Sequence, residues 1–403
     1  MKSILLIMPY GSVGGMERLA YTFYQFYKSQ GFKVKAVKII KLESDIIHFG
    51  DDEYFFSNRD FAEMPASERS KFYLRIPGML RKILKDEKIT HSISFGDMAN
   101  IFSSLTFTRE FKVASIHALK SVEFSKPSFL NKIFKLGFKT SYVAFDKVVC
   151  ISKAIKEDLI VNCGFAFPKK LEVIYNPHNL EEIETLSAKP FDSQAEEELF
   201  SGKTIIFLGR LSIQKSPWHL VNAFGLLLKK EPETRLIFIG DGDENVIQYL
   251  NTLIQKTIPE NKIHFLGRKA NPYRYLKKAA VLALSSNYEG TPNVIVEAMA
   301  LGVPVVSSNC TDGIMELMKI NNIAVNGDMI ETEAGIITPN FFNGELKIPE
   351  HDEISAEEKV FSDALALVLS QQRFRTSLLE NRDILLEKFD FAKVSMNYLK
   401  SRK

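Results

Sequence analysis

Residues 203–230, KTIIFLGRLSIQKSPWHLVNAFGLLLKK, join a short β-branched apolar run, a polar loop and a longer helical pattern. Residues 3–27, SILLIMPYGSVGGMERLAYTFYQFY, show the same order of elements, so the pattern starts twice in one chain. Apolar runs that alternate with helical patterns are typical of βαβ units, in which helices cover both faces of a parallel sheet. The sequence therefore predicts an α/β fold with two Rossmann-like, doubly wound domains.

The length of the chain, 403 residues, also favours two domains over a single core. We predict an N-terminal Rossmann-like domain over 1–185, a second over 186–385, and a C-terminal helix over 386–403 that crosses back to the first domain. The polar, acidic stretch 181–202 marks the boundary. The stretch 321–353 has weak periodicity, so we predict a loop or small ribbon inserted in the second domain.

The composition excludes several classes of protein. With 45% hydrophobic and 25% charged residues, the chain is typical of soluble globular proteins. No apolar stretch reaches membrane-spanning length, and the run Ile4–Met8 is too short for a signal peptide. The net charge of +3 is too small to indicate binding to nucleic acid. We therefore expect a cytoplasmic protein with no nucleic-acid partner.

The three cysteines, Cys150, Cys163 and Cys310, lack the paired spacing of a metal site. We expect buried thiols in a reducing compartment. Asp241 and Asp243, in GDGD, resemble a metal-binding D-x-D motif. Because they follow an apolar run and precede a helical pattern, we predict a turn with helix-capping acids and no metal site.

Residues 285–308, SSNYEGTPNVIVEAMALGVPVVSS, contain a helix start between two glutamates. Thr291 is a good N-cap and Pro292 a good first helical residue, so the amides of Asn293 and Val294 are expected to face the crevice beyond a strand end. Such a helix N-terminus suits a phosphate. Gly302 is expected to end the helix.

Glu289 and Glu297 would repel a phosphate if they faced it, but they can hydrogen-bond to hydroxyl groups. A nucleotide sugar would supply both, with phosphates on the helix and hydroxyls of sugar and ribose on the glutamates. Two solvated glutamates near a helix start are the alternative, because acids are common there.

Basic residues and glycines follow the two repeated strands. Arg210 and the lysine five residues later, Lys215, could neutralise a diphosphate, although a solvated surface pair is the alternative. Gly14 and Gly15 allow a close approach of the backbone to a ligand, although no complete G-x-G-x-x-G is present. His117, at a predicted strand end, is a candidate for the reaction centre or a structural histidine.

Lysine is concentrated between Lys112 and Lys156, with nine lysines and two acids. Lys132, Lys135 and Lys139 have helical spacing, and phenylalanines are interleaved with them. Such a helix could lie on an anionic membrane surface. An amphipathic helix packed on its own sheet is the alternative.

The order of several motifs resembles glycosyltransferase family 4 (GT4), over nearly the whole chain. The motifs are GGMER, SIHA, VVCISKAIKEDL, VIYNP, FLGRLSIQKSPWHLVNAF, LIFIGDGDE, IHFLGR and YEGTPNVIVEAMALGVPVVSS. The resemblance implies the GT-B fold, with two domains that face a central cleft, and a retaining, metal-independent transfer of sugar without a cofactor.

The resemblance also implies roles for individual residues. Arg210 and Lys215 would bind the donor diphosphate, Glu289 the donor-sugar hydroxyls and Glu297 the nucleotide ribose. His117 would lie near the reaction centre. Further donor contacts would come from Gly14, Gly15, Arg268, Gly290, Thr291, Pro292, Asn293 and Val294. We assign Glu17 and Arg18, which open the first helix, to the acceptor; a simple capping acid is the alternative for Glu17.

The resulting expectation is a cytoplasmic enzyme that transfers a hexose or N-acetylhexosamine from a nucleotide sugar to a lipid-linked glycan, peripherally on the inner face of the cell membrane. GGMER and EGTPN resemble members that build bacterial surface glycans. Two alternatives remain open: a transferase that acts on a soluble acceptor, and a sugar-nucleotide-binding protein without turnover. A dinucleotide-dependent oxidoreductase is disfavoured by the missing G-x-G-x-x-G.

Overall fold

The structure of the chain, a computed structural model, describes residues 2–11, 15–125, 128–289, 291–320, 324–350 and 353–401, without the side chain of Phe129. The chain divides into two compact units, Met1–Pro177 with Phe391–Lys403, and His178–Asp390. The change from one unit to the other therefore comes earlier in the chain than the predicted position near residue 185.

The first unit contains a parallel sheet. Its strands are β1 (Ser3–Met8), β2 (Lys33–Ile40), β3 (Glu53–Ser57), β4 (His91–Phe95), β5 (Phe111–Ile116), β6 (Lys147–Cys150) and β7 (Leu171–Val173). The order across the sheet is β3-β2-β1-β4-β5-β6-β7, with every pair parallel among the described residues. The order reverses between β1 and β4, and ligand crevices form outside the carboxyl ends of strands at such a point.

Helices cover the first sheet on both faces. They are α1 (Gly15–Ser29), α2 (Ala66–Asp86), α3 (Asp97–Ser104), α4 (Lys120–Glu123), α5 (Phe129–Lys139) and α6 (Lys153–Val161). Serine side chains cap two of them, because Ser128 and Ser152 accept hydrogen bonds from the amides at the third helical positions of α5 and α6. Every residue of β1 is buried, as the continuous apolar run SILLIM predicts.

The second unit contains a mixed sheet. Its strands are β8 (Thr204–Leu208), β9 (Arg235–Ile239), β10 (Ile263–Phe265), β11 (Val281–Leu284), β12 (Val305–Ser308), β13 (Ala324–Asn326), β14 (Met329–Thr332) and β15 (Gly335–Thr338). The order is β10-β9-β8-β11-β12-β15-β14-β13. The strands from β10 to β15 in this order run parallel, whereas β14 and β13 add an antiparallel edge.

The sheet shows that the interpretation of 321–353 as an inserted loop or small ribbon was incomplete. The described part does contain the β13–β14 ribbon, but β15 pairs with β12 in the main sheet and is buried at every residue. Its four residues, GIIT, are too short to give a clear periodic signal, and the tertiary pairing determines their structure.

Helices also surround the second sheet. They are α7 (Leu180–Ser187), α8 (Gln194–Leu199), α9 (Pro217–Leu227), α10 (Glu244–Thr257), α11 (Tyr273–Lys278), α12 (Asn293–Ala300), α13 (Asp312–Met318), α14 (Ala356–Ser370) and α15 (Arg373–Leu386). The acidic stretch 181–202 is thus largely helical. Asn179 and Ser193 cap α7 and α8, and the carbonyl of Leu186 accepts a hydrogen bond from Asn271 within the same unit.

The last helix, α16 (Phe391–Tyr398), belongs to the first unit. Tyr27 donates a hydrogen bond of 2.7 Å to the carbonyl of Ser395, and the rings of Phe23 and Tyr398 are 4.8 Å apart. Tyr398 also shares a 3.0 Å hydrogen bond with Ser115. Buried aromatic packing and two hydrogen bonds therefore attach α16 to α1 and β5.

The prediction that the cysteines are buried thiols is confirmed, because Cys150, Cys163 and Cys310 are buried and free. Burial raises the pKa of each thiol to about 12, so they remain protonated at neutral pH. None of the helices within the described residues is long and apolar enough to cross a membrane.

Candidate functional site

The loops after β8 and β9 lie against each other in the second unit. Leu211 and Gly242 form a β-bridge beyond the strands. The amide of Leu211 donates a 2.8 Å hydrogen bond to the carbonyl of Asp241, and the amide of Asp243 donates a 2.9 Å hydrogen bond to the carbonyl of Leu211. A Cβ atom at Gly240 would lie 2.0 Å from the carbonyl oxygen of Gly209, so this approach requires glycine. The two loops therefore present Arg210 and Asp243 at the carboxyl edge of the sheet.

Arg210 is exposed and forms a 2.5 Å ion pair with Asp243. Asp243 occupies the N-cap position of α10, but its side chain makes no capping hydrogen bond. The prediction of helix-capping acids is therefore wrong for this side chain, because the carboxylate pairs with Arg210. No group of three or more potential metal ligands occurs among the described His, Cys, Asp and Glu residues.

Lys215 contacts the carboxylate of Glu289, and both side chains are largely buried. Ser286 donates a second hydrogen bond, of 2.8 Å, to the same Glu289 oxygen. The sequence predicts that Lys215 faces a diphosphate and Glu289 faces hydroxyls, and the structure brings the two side chains into direct contact. A ligand that binds Lys215 must therefore share it with Glu289.

The backbone around this ion pair is joined by hydrogen bonds. Ser216 has a positive φ of 37°, and its hydroxyl donates to the carbonyl of Ser285. Asn287 donates twice: its backbone amide donates a 2.8 Å hydrogen bond to the carbonyl of Gln214, and its side-chain amide donates a 3.1 Å hydrogen bond to the carbonyl of Ile213. Sequence reasoning missed these residues, although polar residues directly after the buried strand β11 are a usable signal.

The helix start between the glutamates lies one residue later than predicted. Helix α12 begins at Asn293, with Pro292 at the N-cap and no capping side chain, so Thr291 is not the N-cap. Proline has no side-chain acceptor, so it cannot cap the amides of the first turn of α12. Val294 is buried and Asn293 is exposed. Gly302 has φ +68° after the last turn, as predicted for a helix end.

Two neighbours of α12 were not predicted. The buried ring of His178 hydrogen-bonds to Asn293, and burial lowers the His178 pKa to about 4 despite that bond. Tyr273 places its hydroxyl 3.5 Å from a carboxylate oxygen of Glu297, which is partly exposed. Both residues lie beside predicted donor contacts.

Arg268 is exposed on the loop after β10. The preceding residue, Gly267, has φ +63°, and its carbonyl accepts a 2.9 Å hydrogen bond from the amide of Gly240. Arg268 therefore lies at the same edge of the sheet as Arg210. Gly290, another predicted donor contact, lies outside the described residues.

In the first unit, His117 follows β5 and packs against Phe95, with the ring centroids 6.2 Å apart. Its Nε2 atom is buried and has no hydrogen-bond partner among the described residues. Burial and the charge of Lys120 lower the His117 pKa to about 3. The ring is therefore neutral at neutral pH and can act as a hydrogen-bonding group rather than a cation.

Lys120 is a buried cation beside His117 that sequence reasoning did not select. It forms ion pairs of 2.8 Å with Asp97 and 2.5 Å with Glu123. Burial lowers the Lys120 pKa, but the two carboxylates outweigh burial and raise it overall. Both Asp97 and Lys120 follow the carboxyl ends of adjacent strands, β4 and β5.

Near the N-terminus, Gly14 lies outside the described residues, and Gly15 is the exposed first residue of α1. The predicted acceptor contacts differ in exposure, because Glu17 is buried and Arg18 is exposed. Burial, reinforced by the charge of Asp45, raises the Glu17 pKa. The first unit thus holds Gly15, Glu17, Arg18 and His117, and the second unit holds the other described candidates.

The predicted basic region Lys112–Lys156 does not form one surface. Lys112, Lys120 and Lys147 are buried and ion-paired, with Glu110, Asp97 and Glu172 among their partners. The number of lysines in the sequence does not predict their burial, because a lysine can bury both its aliphatic stem and its charge when a carboxylate is available as a partner. The exposed lysines of α5 remain, and they are Lys132, Lys135 and Lys139.

Comparison with known proteins gives the same division of the chain. A family model described as Glycosyltransferase Family 4 matches residues 13–182, and one described as Glycosyl transferases group 1 matches residues 189–336. Together they cover more than half of the chain. Two Rossmann-like domains with these matches define the class as a glycosyltransferase of the GT-B fold. The chain belongs to the GT4-type family of glycosyltransferases.

Two curated relatives illustrate the similarity. An uncharacterized glycosyltransferase of Methanocaldococcus jannaschii is 28% identical over 246 residues, and the match spans 59% of this chain and 60% of that protein. The second, from Campylobacter jejuni, is 27% identical over 370 residues and 89% of each chain. Its name is GalNAc-alpha-(1->4)-GalNAc-alpha-(1->3)-diNAcBac-PP-undecaprenol alpha-1,4-N-acetyl-D-galactosaminyltransferase.

A solved structure supports the fold. HepE of Anabaena, in complex with UDP and glucose, matches 99% of this chain and 98% of its own chain with a TM-score of 0.72 and 18% identity. At this identity the match supports the GT-B fold, and the chemistry of this chain must be argued from its own residues.

Proposed function

We propose that this protein is a retaining glycosyltransferase that moves a hexose or an N-acetylhexosamine from a nucleotide sugar, with a UDP-sugar favoured, to a lipid-linked glycan in bacterial surface-glycan synthesis. The observation that carries the proposal is the Lys215–Glu289 pair beside the start of α12 and Arg210. Two cations and a helix N-terminus suit a diphosphate, and a buried carboxylate suits sugar hydroxyls.

The names of the similar proteins support the choice of donor and acceptor. The Campylobacter relative is named for an undecaprenol-diphosphate-linked glycan acceptor and an N-acetylgalactosaminyl group. The Anabaena structure contains UDP and glucose. In the proposed complex, Glu289 accepts hydrogen bonds from the donor sugar, and Glu297 accepts them from the ribose.

In the proposed reaction, the bond between the anomeric carbon and the diphosphate oxygen breaks while the acceptor hydroxyl bonds to the same face of that carbon. The proton of the hydroxyl passes to the departing diphosphate oxygen, so no side chain has to act as nucleophile. Negative charge grows on the diphosphate, where Arg210 and Lys215 stabilise it most strongly in the transition state. Because these two side chains supply positive charge, we propose that the transfer needs no metal ion or cofactor.

The neutral ring of His117 suits a role near the reacting sugar. Its buried Nε2 has no partner among the described residues, so a sugar hydroxyl would satisfy a polar atom that is otherwise costly to bury. The low pKa of His117 means that it would act as a hydrogen-bonding group and would not add positive charge.

A lipid-linked acceptor is held in a membrane, so we propose that the protein works from the cytoplasm on the inner face of the cell membrane. The exposed face of α5 suits anionic lipid. Lys132, Lys135 and Lys139 are exposed there, together with Leu136 at 61%. Residues 128–143 contain no acid. The opposite side of α5 packs in the unit through Phe138, which is fully buried.

The experiment measures release of UDP from a panel of UDP-sugars, with and without an undecaprenyl-diphosphate-linked glycan and in the presence or absence of EDTA. We expect release that depends on the lipid-linked acceptor and is unaffected by EDTA. Release with a soluble sugar acceptor alone would support the soluble-acceptor alternative. Thermal stabilisation by UDP-sugars without release under any condition would support a binding protein without turnover.

A further inference from the structure

A cluster of buried charges lies beside Gly11, which follows β1. Lys38, on β2, has a fully buried side chain that forms ion pairs of 3.1 Å with both Asp45 and Glu53. Glu53 also pairs with Lys41 at 3.0 Å and accepts a hydrogen bond from the amide of Phe49. None of these residues belongs to the proposed donor or acceptor contacts.

The cluster holds Gly11, the described residue that follows β1 and its Pro-Tyr extension. Asp45 accepts a 3.2 Å hydrogen bond from the Gly11 amide, and the Gly11 carbonyl accepts from the amides of Ile46 and Ile47 at 3.2 and 3.3 Å. A Cβ atom at Gly11 would lie 2.5 Å from both the Asp45 carboxylate and the Lys38 side chain. Gly11 thus packs directly on the ion pair because it has no side chain.

The location of the cluster argues for a role beyond stability. Charges removed from water lose hydration that their mutual attraction only partly replaces, and apolar residues of similar volume often stabilise a fold as well. The cluster also reaches α1, because the amide of Phe49 donates to Glu53 and the Phe49 ring packs against Tyr24 of α1 with the ring centroids 5.0 Å apart. The charge of Asp45 also contributes to the raised pKa of Glu17. The cluster therefore contacts both Gly11, which follows β1, and the body of α1.

We infer that Asp45, held by Lys38, is a positioning residue that fixes Gly11 and so places the start of α1, with Gly15 and Glu17, for sugar transfer. The inference rests on the proposed function, in which Gly15 approaches the donor diphosphate and Glu17 contacts the acceptor. Asp45 itself would touch neither substrate.

The test uses the full-length protein and three variants. Asp45→Ala removes the acceptor for the Gly11 amide, whereas Asp45→Asn keeps an oxygen that can accept that bond. Glu53 remains to pair with Lys38 in both. The control is Lys112→Met, which breaks a buried ion pair outside this cluster. Lys112 is buried like Lys38 and pairs with Glu110 at 3.2 Å near the start of β5.

We expect Asp45→Ala to speed hydrogen exchange in the peptide spanning residues 9–19 by about tenfold or more, as the loss of a buried hydrogen bond predicts. We also expect its kcat to fall by about tenfold, with Asp45→Asn recovering most of that loss. The control should change neither quantity by more than its effect on global stability predicts.

Three results would overturn the inference. Hydrogen exchange of the peptide 9–19 in Asp45→Ala could remain as slow as in the wild type, or exchange could rise equally in Lys112→Met. The kcat of Asp45→Ala could also stay at the wild-type value while its hydrogen exchange rises. If the wild-type protein transfers no sugar, the proposed function fails by itself. The exchange comparison then still decides whether Asp45 fixes Gly11.

Discussion

Arg210 and Lys215 each contact a carboxylate of their own unit, Asp243 and Glu289, and these contacts determine what a donor must do on binding. The exposed Arg210–Asp243 pair is screened by water, so it contributes little to stability and is easily exchanged for a diphosphate. The Lys215–Glu289 pair is largely buried, so its charges remain fixed while a ligand binds. We therefore expect the two cations to differ in their effect on folding but not on catalysis.

Replacement of either cation should reduce turnover much more than stability. For Arg210→Ala and Lys215→Ala, the loss of one preorganised positive group at the departing diphosphate predicts about 2.7–4 kcal/mol of added barrier, a fall in kcat of roughly a hundredfold or more. Steady-state kinetics and thermal melts check this. The control is Lys203→Ala, which removes a surface lysine paired with Glu231. Turnover near the wild-type value in either variant would refute the assignment.

Replacement of Glu297 and of Glu289 should change different steady-state constants. Glu297→Gln is expected to raise KM for the donor, because a ribose contact is made equally in the ground and transition states. Glu289→Gln is expected mainly to lower kcat, since its contact is with the reacting sugar. Initial rates over a range of donor concentrations give both constants, and the opposite pattern would exchange the two roles.

Two buried histidines predict how stability depends on pH. Burial lowers the pKa of His117 to about 3 and of His178 to about 4, below the ordinary value of about 6.5. The unfolded chain binds protons first as pH falls, so stability is full above about 6.5 and decreases down to about 3–4, by about 1.4 kcal/mol per pH unit for each histidine.

Denaturant unfolding at several pH values tests this decrease. His117→Gln should make it shallower, whereas His48→Gln, at an exposed histidine, should leave the slope unchanged. An identical slope in the wild type and His117→Gln would show that His117 does not remain neutral in the folded protein.

At the scale of elements, α5 has one buried side and one exposed side. Its buried Phe138 packs against Tyr142, with ring centroids 5.0 Å apart, while its lysines and Leu136 face outward. The interpretation as a packed helix is therefore confirmed for the inner side of α5, and the membrane surface stays a prediction for its outer side. The anionic lipid would meet only the outer side.

The outer side of α5 should bind anionic vesicles. Each lysine near such a surface contributes about 1 kcal/mol, so Lys132, Lys135 and Lys139 together predict reversible binding that salt weakens. Changing the three to Glu should abolish co-sedimentation, and Leu136→Ala should weaken it at high salt. The control changes three exposed lysines of the second unit to Glu: Lys229, Lys230 and Lys359. Equal binding by both triple variants would exclude α5 as the docking surface.

At the scale of the whole molecule, the sequence predicts those features that arise from continuous local patterns. The buried runs SILLIM and TIIFL predict β1 and β8, and the repeated strand–loop–helix order predicts two α/β units. The loops after β8 and β11 could be placed at the carboxyl edge of the second sheet, because strand ends converge in parallel sheets.

The remaining features depend on contacts between residues far apart in the chain. Lys147 looks like a surface charge in sequence, but it is buried and pairs with Glu172, which lies on another strand, β7. In the same way, Asp45 is ordinary in its own segment and acquires its role only through Gly11 and Lys38. No local pattern contains these partners.

Characterisation of the glycan product, by mass spectrometry for its mass and by NMR spectroscopy for its anomeric configuration, tests the central claim most directly. The wild-type protein is incubated with a UDP-sugar and an undecaprenyl-diphosphate-linked glycan, and the mass and anomeric configuration of the lipid-linked product are determined. The account predicts the addition of one sugar that keeps the anomeric configuration of the donor, and no addition by Arg210→Ala. An unchanged acceptor mass with every donor sugar, or a product of inverted configuration, would contradict it.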